Sequence, residues 1–289
     1  MVLVSSSYNL KKIKRTRRKN FLLYISILII NQFKMRKLFL LLFTTLFLTS
    51  LNAQEQNWIM QSRVLNVDAE DVQKFESAVA KKTKMYNSKE GTARWITFRI
   101  LTGPNANNYV RVQLENSWEM YDNVDTVGNA YWQKTVGPLH TSEGNQFWWR
   151  NNGVSYNPGT NDGPKKLRRI IFYNFKDSNS QDFWRFRQRV AKAMAESGYQ
   201  SRMSVFSCAS GCNGNWVQVR FHHDSFVNQA ADYGEPLASM IEKYNEIYGN
   251  ESYEQDGDKM QESLMPDGMR VRHLEYLPEL SSPWGSRGN

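Results

Sequence analysis

Cysteine and histidine are scarce: the 289 residues contain two cysteines and four histidines. Two cysteines cannot build a four-thiolate zinc module or a multiply stapled secreted scaffold. His222 and His223 are adjacent, so on a strand they point to opposite faces, and only His140 and His273 remain. A histidine-rich metal site is therefore not expected, and no metal is assigned. No phosphate loop, dinucleotide fingerprint, nucleophile elbow or calcium loop occurs, which removes the reaction classes built on them. Acid is missing from one part of the chain. Residues 1–53 hold ten Lys and Arg and no Asp or Glu. The formal charge of +9 comes entirely from that stretch, because the remaining 27 basic residues face 28 acidic ones. The body of the chain is thus nearly neutral, and nucleic acid is not an expected partner. Long apolar runs are also few. Phe21–Phe33 and Leu38–Leu48 both fall short of the ~20 residues a spanning helix needs.

The basic stretch instead has the layout of an export signal. Met35-Arg36-Lys37 is a short basic start, Leu38–Leu48 an apolar centre, and Thr49-Ser50-Leu51-Asn52-Ala53 ends on a small residue. Residues 35–53 read as a signal peptide cleaved after Ala53, and residues 1–34 as an upstream extension of the reading frame beyond a true start at Met35. The competing reading is a pair of short membrane spans. The residue directly after the cleavage point is Gln54 and not a cysteine, which argues against a lipid anchor. The expected location is periplasmic or secreted, with no stable membrane anchor after cleavage. Export permits a Cys208–Cys212 disulfide across three intervening residues, with two free thiols as the alternative.

What the rest of the chain has in quantity is aromatic residues and a repeat. Trp95-Ile96-Thr97-Phe98-Arg99, a turn at Thr102–Asn105, then Asn108–Leu114 is echoed by Met203–Phe206, a turn at Ser210–Asn213, then Asn215–Phe221. Upstream, Phe75, Val79, Ala80 and Lys81 match Phe186, Val190, Ala191 and Lys192. Helix periodicity is expected from Asp68 to about Thr83, over 117–136, over 183–197 and over 225–248, the last broken at Gly234-Glu235-Pro236. Strands are expected around 58–65, 92–101, 109–114, 146–156, 168–176, 200–209, 216–222 and 269–277. The order in each copy is β-α-β-β-α-β, a ferredoxin-like unit. The expected organisation is a first repeat over 54–150, a linker rich in Gly, Asn and Pro over 151–166, a second repeat over 167–278, and a frayed tail over 279–289.

Alternation divides the paired hairpins. Val110, Val112 and Leu114, with Val217, Val219 and Phe221, are expected under the helices. Tyr109, Arg111, Gln113 and Glu115, with Trp216, Gln218, Arg220 and His222, are expected on the other face. Two such polar-aromatic faces suggest sheets packed against each other. In this element order and face pattern the chain resembles the dimeric α+β barrel superfamily of antibiotic-biosynthesis monooxygenase-like proteins. The fold class is then α+β, two tandem ferredoxin-like units closing an intrachain barrel. The resemblance implies three readings: a small-molecule binding protein, a cofactor-light or haem-linked oxygenase, or a structural module with a filled barrel. The haem-degrading members' Asn/Trp/His set cannot be placed here, so haem stays open without a motif and no cofactor is assigned. The candidate ligand-binding residues are Trp95, Arg99, Tyr109, Arg111, Gln113, Trp216, Gln218 and Arg220, suited to a small aromatic or anionic molecule. Cross-strand ion pairing is the structural alternative for the arginines. His222 and Glu115 are the weaker candidates for proton transfer across a pseudo-two-fold axis.

Overall fold

A computed structural model describes residues 58–115, 117–158 and 163–284; the signal peptide and the upstream extension lie outside the described residues. The first half runs β1 (Ile59–Asn66), α1 (Val72–Tyr86), β2 (Trp95–Ile100), β3 (Tyr109–Glu115), α2 (Glu119–Asp122), α3 (Thr126–Thr135) and β4 (Thr141–Arg150). The second half runs β5 (Leu167–Phe175), α4 (Ser180–Glu196), β6 (Met203–Ser210), β7 (Asn215–His223), α5 (Phe226–Asp232), α6 (Glu235–Tyr248), α7 (Ser252–Glu262) and β8 (Leu264–Tyr276). Phe75 and Val79 on α1, and Phe183, Phe186, Val190 and Met194 on α4, are buried at spacings of three and four, as an amphipathic helix requires. The single helix expected over 117–136 is two, because Asp125 caps α3 by accepting from the Gly128 amide at 2.8 Å.

All eight strands pair antiparallel and close into a barrel in the order β1-β3-β2-β8-β5-β7-β6-β4. Within the first half the order is β4-β1-β3-β2, and within the second it is β8-β5-β7-β6. The halves meet at β2–β8 and at β4–β6. Closure gives each described strand a neighbour on both sides.

Three cores result. Val79, Phe75, Tyr109 and Trp132 pack between the first-half strands and their helices. Ile171, Phe183, Val217 and Val219 do the same in the second half. Met60, Phe98, Val112, Trp148, Phe172 and Phe206 fill part of the barrel interior.

This placement corrects the expected faces of β3. Val110, Val112 and Leu114 pack in the barrel interior, and Tyr109 and Arg111 lie outside it, beneath the helices. On β7 the expectation holds, with Val217 and Val219 under the helices and Trp216 against the interior cluster. Matching Tyr109 to Trp216 sets the two strands one residue out of register, and a one-residue slip exchanges every side chain between faces. Phe98 and Phe206, both interior, carry the consistent offset of 108.

Two connecting segments are tied down. Val154, in the segment expected as a linker, is buried in the second-half core, and Tyr156 bridges to Met203. Leu280, Ser281 and Ser282, expected in the frayed tail, are buried against the first half. There the Leu280 carbonyl accepts from Thr97 Oγ1 at 3.0 Å and the Ser282 amide donates to the Trp95 carbonyl at 2.8 Å.

Cys208 and Cys212 form a disulfide across the β6–β7 turn. Gly211 within that turn has φ +80°, and a Cβ there would sit 2.6 Å from the Asn145 carbonyl oxygen of β4. Gly211→Ala therefore combines a left-handed backbone with a backbone collision. We expect it to cost about 1–3 kcal/mol, read as a lowered midpoint in urea denaturation; an unchanged midpoint would show that β4 yields freely.

Candidate functional site: a half-apolar, half-cationic barrel interior

The interior wall differs between the halves. First-half strands β1, β2 and β3 send mostly apolar side chains inward, Met60, Val64, Ile96, Phe98, Val110, Val112 and Leu114 with Ser62 among them, while β4 adds Glu143, Gln146 and Arg150. Second-half strands send arginine inward. On β5, Arg168 alternates inward with Ile170 and Phe172, and on β8 Arg270 and Arg272 precede Leu274. On β7, Val217 and Val219 satisfy the helices, so Gln218, Arg220 and His222 face the barrel.

Two chambers remain unfilled. The larger, about 380 Å³, sets Met60, Ile96, Val112 and Leu114 against Arg168, Arg220 and His222. Arg94, Arg150 and Arg202 also line it, with Trp58 and Trp284. Among the described residues no Asp or Glu does. The smaller, about 270 Å³, is lined by Arg220, Arg270 and Arg272 together with Glu143 and Gln146. Arg220 is common to both.

The polar groups of the larger chamber are held from behind. Arg220 donates from Nε to Gln218 Oε1 at 2.9 Å and stacks 4.6 Å over Phe206. Arg168 sits 4.3 Å over Phe98 and, among the described residues, donates no hydrogen bond and forms no ion pair. Burial pushes the Arg220 guanidinium down to about 9. Burial, then the charges of Arg220 and Arg202, hold Arg168 well below its ordinary value. A guanidinium has only donors, so the 3.2 Å contact from Arg202 to His222 Nδ1 makes that nitrogen the acceptor. The proton of the neutral ring then resides on Nε2, which is buried and has no protein partner among the described residues.

Burial, followed by Arg168, Arg202 and Arg220, holds the His222 imidazole far below its ordinary value. Burial lowers His140, His223 and His273 as well. An unfolded histidine titrates near ~6.5. Between that point and the lower folded value, the unfolded chain holds more protons, so stability falls as pH falls. For His222 alone the slope is about 1.4 kcal/mol per pH unit. We expect Tm to drop steadily from pH 7 to pH 5, and His222→Gln to flatten the decline. A Tm rising on acidification would contradict this burial.

Among the remaining candidates Trp95, Arg99, Tyr109, Arg111, Gln113 and Glu115 lie outside the barrel, so Arg111 does not share the chamber with Arg220, nor Glu115 with His222. Arg111 is fully buried between Trp95 and Trp132, 5.3 and 4.9 Å from their rings. It donates to Thr97 Oγ1 at 2.9 Å, to Thr83 Oγ1 at 3.1 Å and to the Leu280 carbonyl at 3.3 Å. Arg63, its partner in register, stacks on the same two rings at 5.0 Å. Burial and the Arg63 charge bring Arg111 down to about 9. Arg99 and the Tyr109 hydroxyl both donate to Glu76 on α1, at 2.7 and 2.6 Å. Gln113 donates to Glu115 at 3.2 Å. Trp216 stays with the barrel, 4.8 Å beneath Arg270, at the smaller chamber's end of the strand.

Arg168, and with it Arg94, Arg150 and Arg202, was not expected at the site. On β5 apolar residues occupy both faces, as Ile170, Ile171, Phe172 and Tyr173 show, so alternation is invisible there. Its pairing with β7, Arg168 opposite His222, is what brings it to the chamber.

No protein-family model matches the chain, and no curated protein does. Solved structures resemble it in fold. A protein assigned as a monooxygenase from Lactobacillus acidophilus NCFM aligns over 79% of this chain and 97% of its own, at 12% identity and TM-score 0.53. Another so assigned, from Fusobacterium nucleatum, aligns over 78% and 94% at 11% identity and TM-score 0.52. A mutant chlorite dismutase from Candidatus Nitrospira defluvii aligns over 77% and 92% at 9% identity and TM-score 0.50. At such identities the likeness is one of fold, and the fold is an α+β barrel of the dimeric α+β barrel type.

Proposed function

We propose that the barrel binds a small planar anion, an aromatic carboxylate or phenolate, in the larger chamber. One observation carries this reading. Arg168 and the Nε2–H of His222 are buried donors without protein acceptors, facing an apolar wall across a chamber of ligand size. A ring against Met60, Ile96 and Val112, with its anionic group toward Arg168 and His222, satisfies both sides. The barrel itself is read as a tandem duplication of a ferredoxin-like unit in an exported protein. Identical strand order in the two halves supports the first point, and the Cys208–Cys212 bridge suits the second.

A cofactor-light oxygenase would use the same chamber. The guanidinium groups would hold the substrate as its electron-rich anion, and the neutral His222 would give it a hydrogen bond from Nε2–H. Haem does not fit these residues. Arg168, Arg202 and Arg220 crowd His222 and oppose an iron cation at its nitrogen as they oppose a proton. His223 lies beside a cavity of about 200 Å³, room for a single ring and not for a macrocycle of four. Among the described residues no cluster of three or more metal-ligating side chains occurs, and no helix is long and apolar enough to cross a membrane.

Native mass spectrometry of protein isolated from its own host, with an absorbance spectrum, tests the binding reading. We expect a bound organic anion that is released on unfolding. Oxygen uptake with that molecule separates enzyme from binder. A mass equal to the bare chain, with no anion binding from an aromatic-acid panel, would leave the structural-module reading in its place.

A further inference from the structure

We infer a second, independent site in the second half, between the outer face of the sheet and its helices, that takes a one-ring aromatic carboxylate. The cavity measures about 200 Å³ and is walled by Tyr173, Phe186, Met194, Phe221 and Met240. Arg187 of α4 lines it. Only 6% of this residue is exposed, and its guanidinium lies 4.6 Å from the Phe186 ring and 5.3 Å from the Tyr173 ring. Among the described residues it forms no ion pair and donates no hydrogen bond. A buried cation without an acceptor is costly, and a carboxylate is the fork-shaped partner it lacks.

The first half shows what fills the corresponding place there. Phe75 and Phe186 match in the sequence pairing, so Glu76 stands where Arg187 does. Glu76 accepts from Arg99 and Tyr109. By the offset of 108, these positions become Ser207 and Val217 in the second half, and neither carries a charge. Neither neighbouring acid bonds to Arg187: Asp256 accepts from Arg185, Arg189 and Tyr244, and Asp232, which lines the same cavity, lies 3.4 Å from His223 Nδ1 with its Oδ2 accepting no hydrogen bond among the described residues. The first half also fills its space with Trp132 and the stacked Arg63 and Arg111, where the second leaves a cavity. Its size decides the ligand class. An apolar cavity of ~150 Å³ holds a benzene ring, so about 200 Å³ holds one ring plus a carboxylate.

Methyl NMR of 13C-methionine-labelled protein, titrated with benzoate, reads both sites at once. Met194 and Met240 line this cavity and Met60 lines the barrel chamber. We expect saturable shifts at Met194 and Met240, at least tenfold weaker binding in Arg187→Gln, and no change at these methyls in Arg168→Ala. Benzyl alcohol, the neutral analogue, is expected to move them far less in the unmodified protein, which tests the charge requirement without any variant. Shifts confined to Met60, no shifts at all, equal binding of benzyl alcohol, or unchanged binding in Arg187→Gln would each overturn the site.

Discussion

Arg168→Ala is expected to weaken binding of an aromatic acid in the barrel chamber by ten- to a hundredfold while Tm stays level or rises. A hydrogen bond to a charged group contributes about 1.5–3 kcal/mol, and tenfold corresponds to about 1.4. The stability side has the opposite sign. Arg168 has no protein acceptor among the described residues, and its charge is opposed by Arg220 and Arg202. Its removal relieves burial and repulsion at the cost of a stack on Phe98. Calorimetric titration and thermal unfolding on the same sample decide it. A variant that melts well below the parent yet binds equally would mean that Arg168 is structural.

Arg111→Ala is expected to behave in reverse, losing about 2–4 kcal/mol of stability with no effect on binding in the barrel. Truncation opens a space between Trp95 and Trp132 and removes the donors to Thr97, Thr83 and the Leu280 carbonyl. Relief of the Arg63 repulsion offsets only part of that, because Arg63 keeps its own stacks on both rings. Arg111→Met fills the slot without charge and is expected to recover much of the loss. Equal stability of Arg111→Ala and the parent in urea would remove the stacked arginine from the fold's supports. The pair of variants thus separates an arginine that waits for a ligand from one that holds two tryptophans and a terminal segment together.

How far the sequence could be read follows from where its signals were local. The helices with apolar stripes, α1 and α4, and the hairpins with glycine turns were legible because their spacing reports burial directly. The broken helix around Gly234-Glu235-Pro236 was legible from its residues: α5 ends at Asp232 and α6 opens with Glu235 and Pro236 just after Gly234. The α7 helix was not, because the side chain it buries most is the carboxylate of Asp256, and a polar anchor leaves no apolar period. Strand faces were half legible. Valine alternation on β3 and β7 is equally clean, but only in β7 do the valines meet helices. In β3 the helix side is polar because the Trp95–Trp132 pair accepts guanidinium groups between its rings. Alternation separates two faces without saying which is inside. The site inherited that ambiguity. Trp216, Gln218, Arg220 and His222 fell together, and the first-half candidates fell on the far side of the sheet.

The docking of the C-terminal segment bears on the order in which this chain can be completed. Leu277 and Leu280 belong to the core of the first half, and the Leu280 carbonyl serves both Thr83 and Arg111 there. Strands β2 and β4 likewise find their outer partners only in β8 and β6. A nascent chain that has delivered all of β1–β4 from the ribosome still lacks its last core residues and exposes two sheet edges. The half made first is therefore the half finished last. Its folding waits for Leu277 and Leu280 to be made, and a chain stopped after Tyr276 would leave the N-terminal half, rather than the truncated one, as the part open to proteolysis.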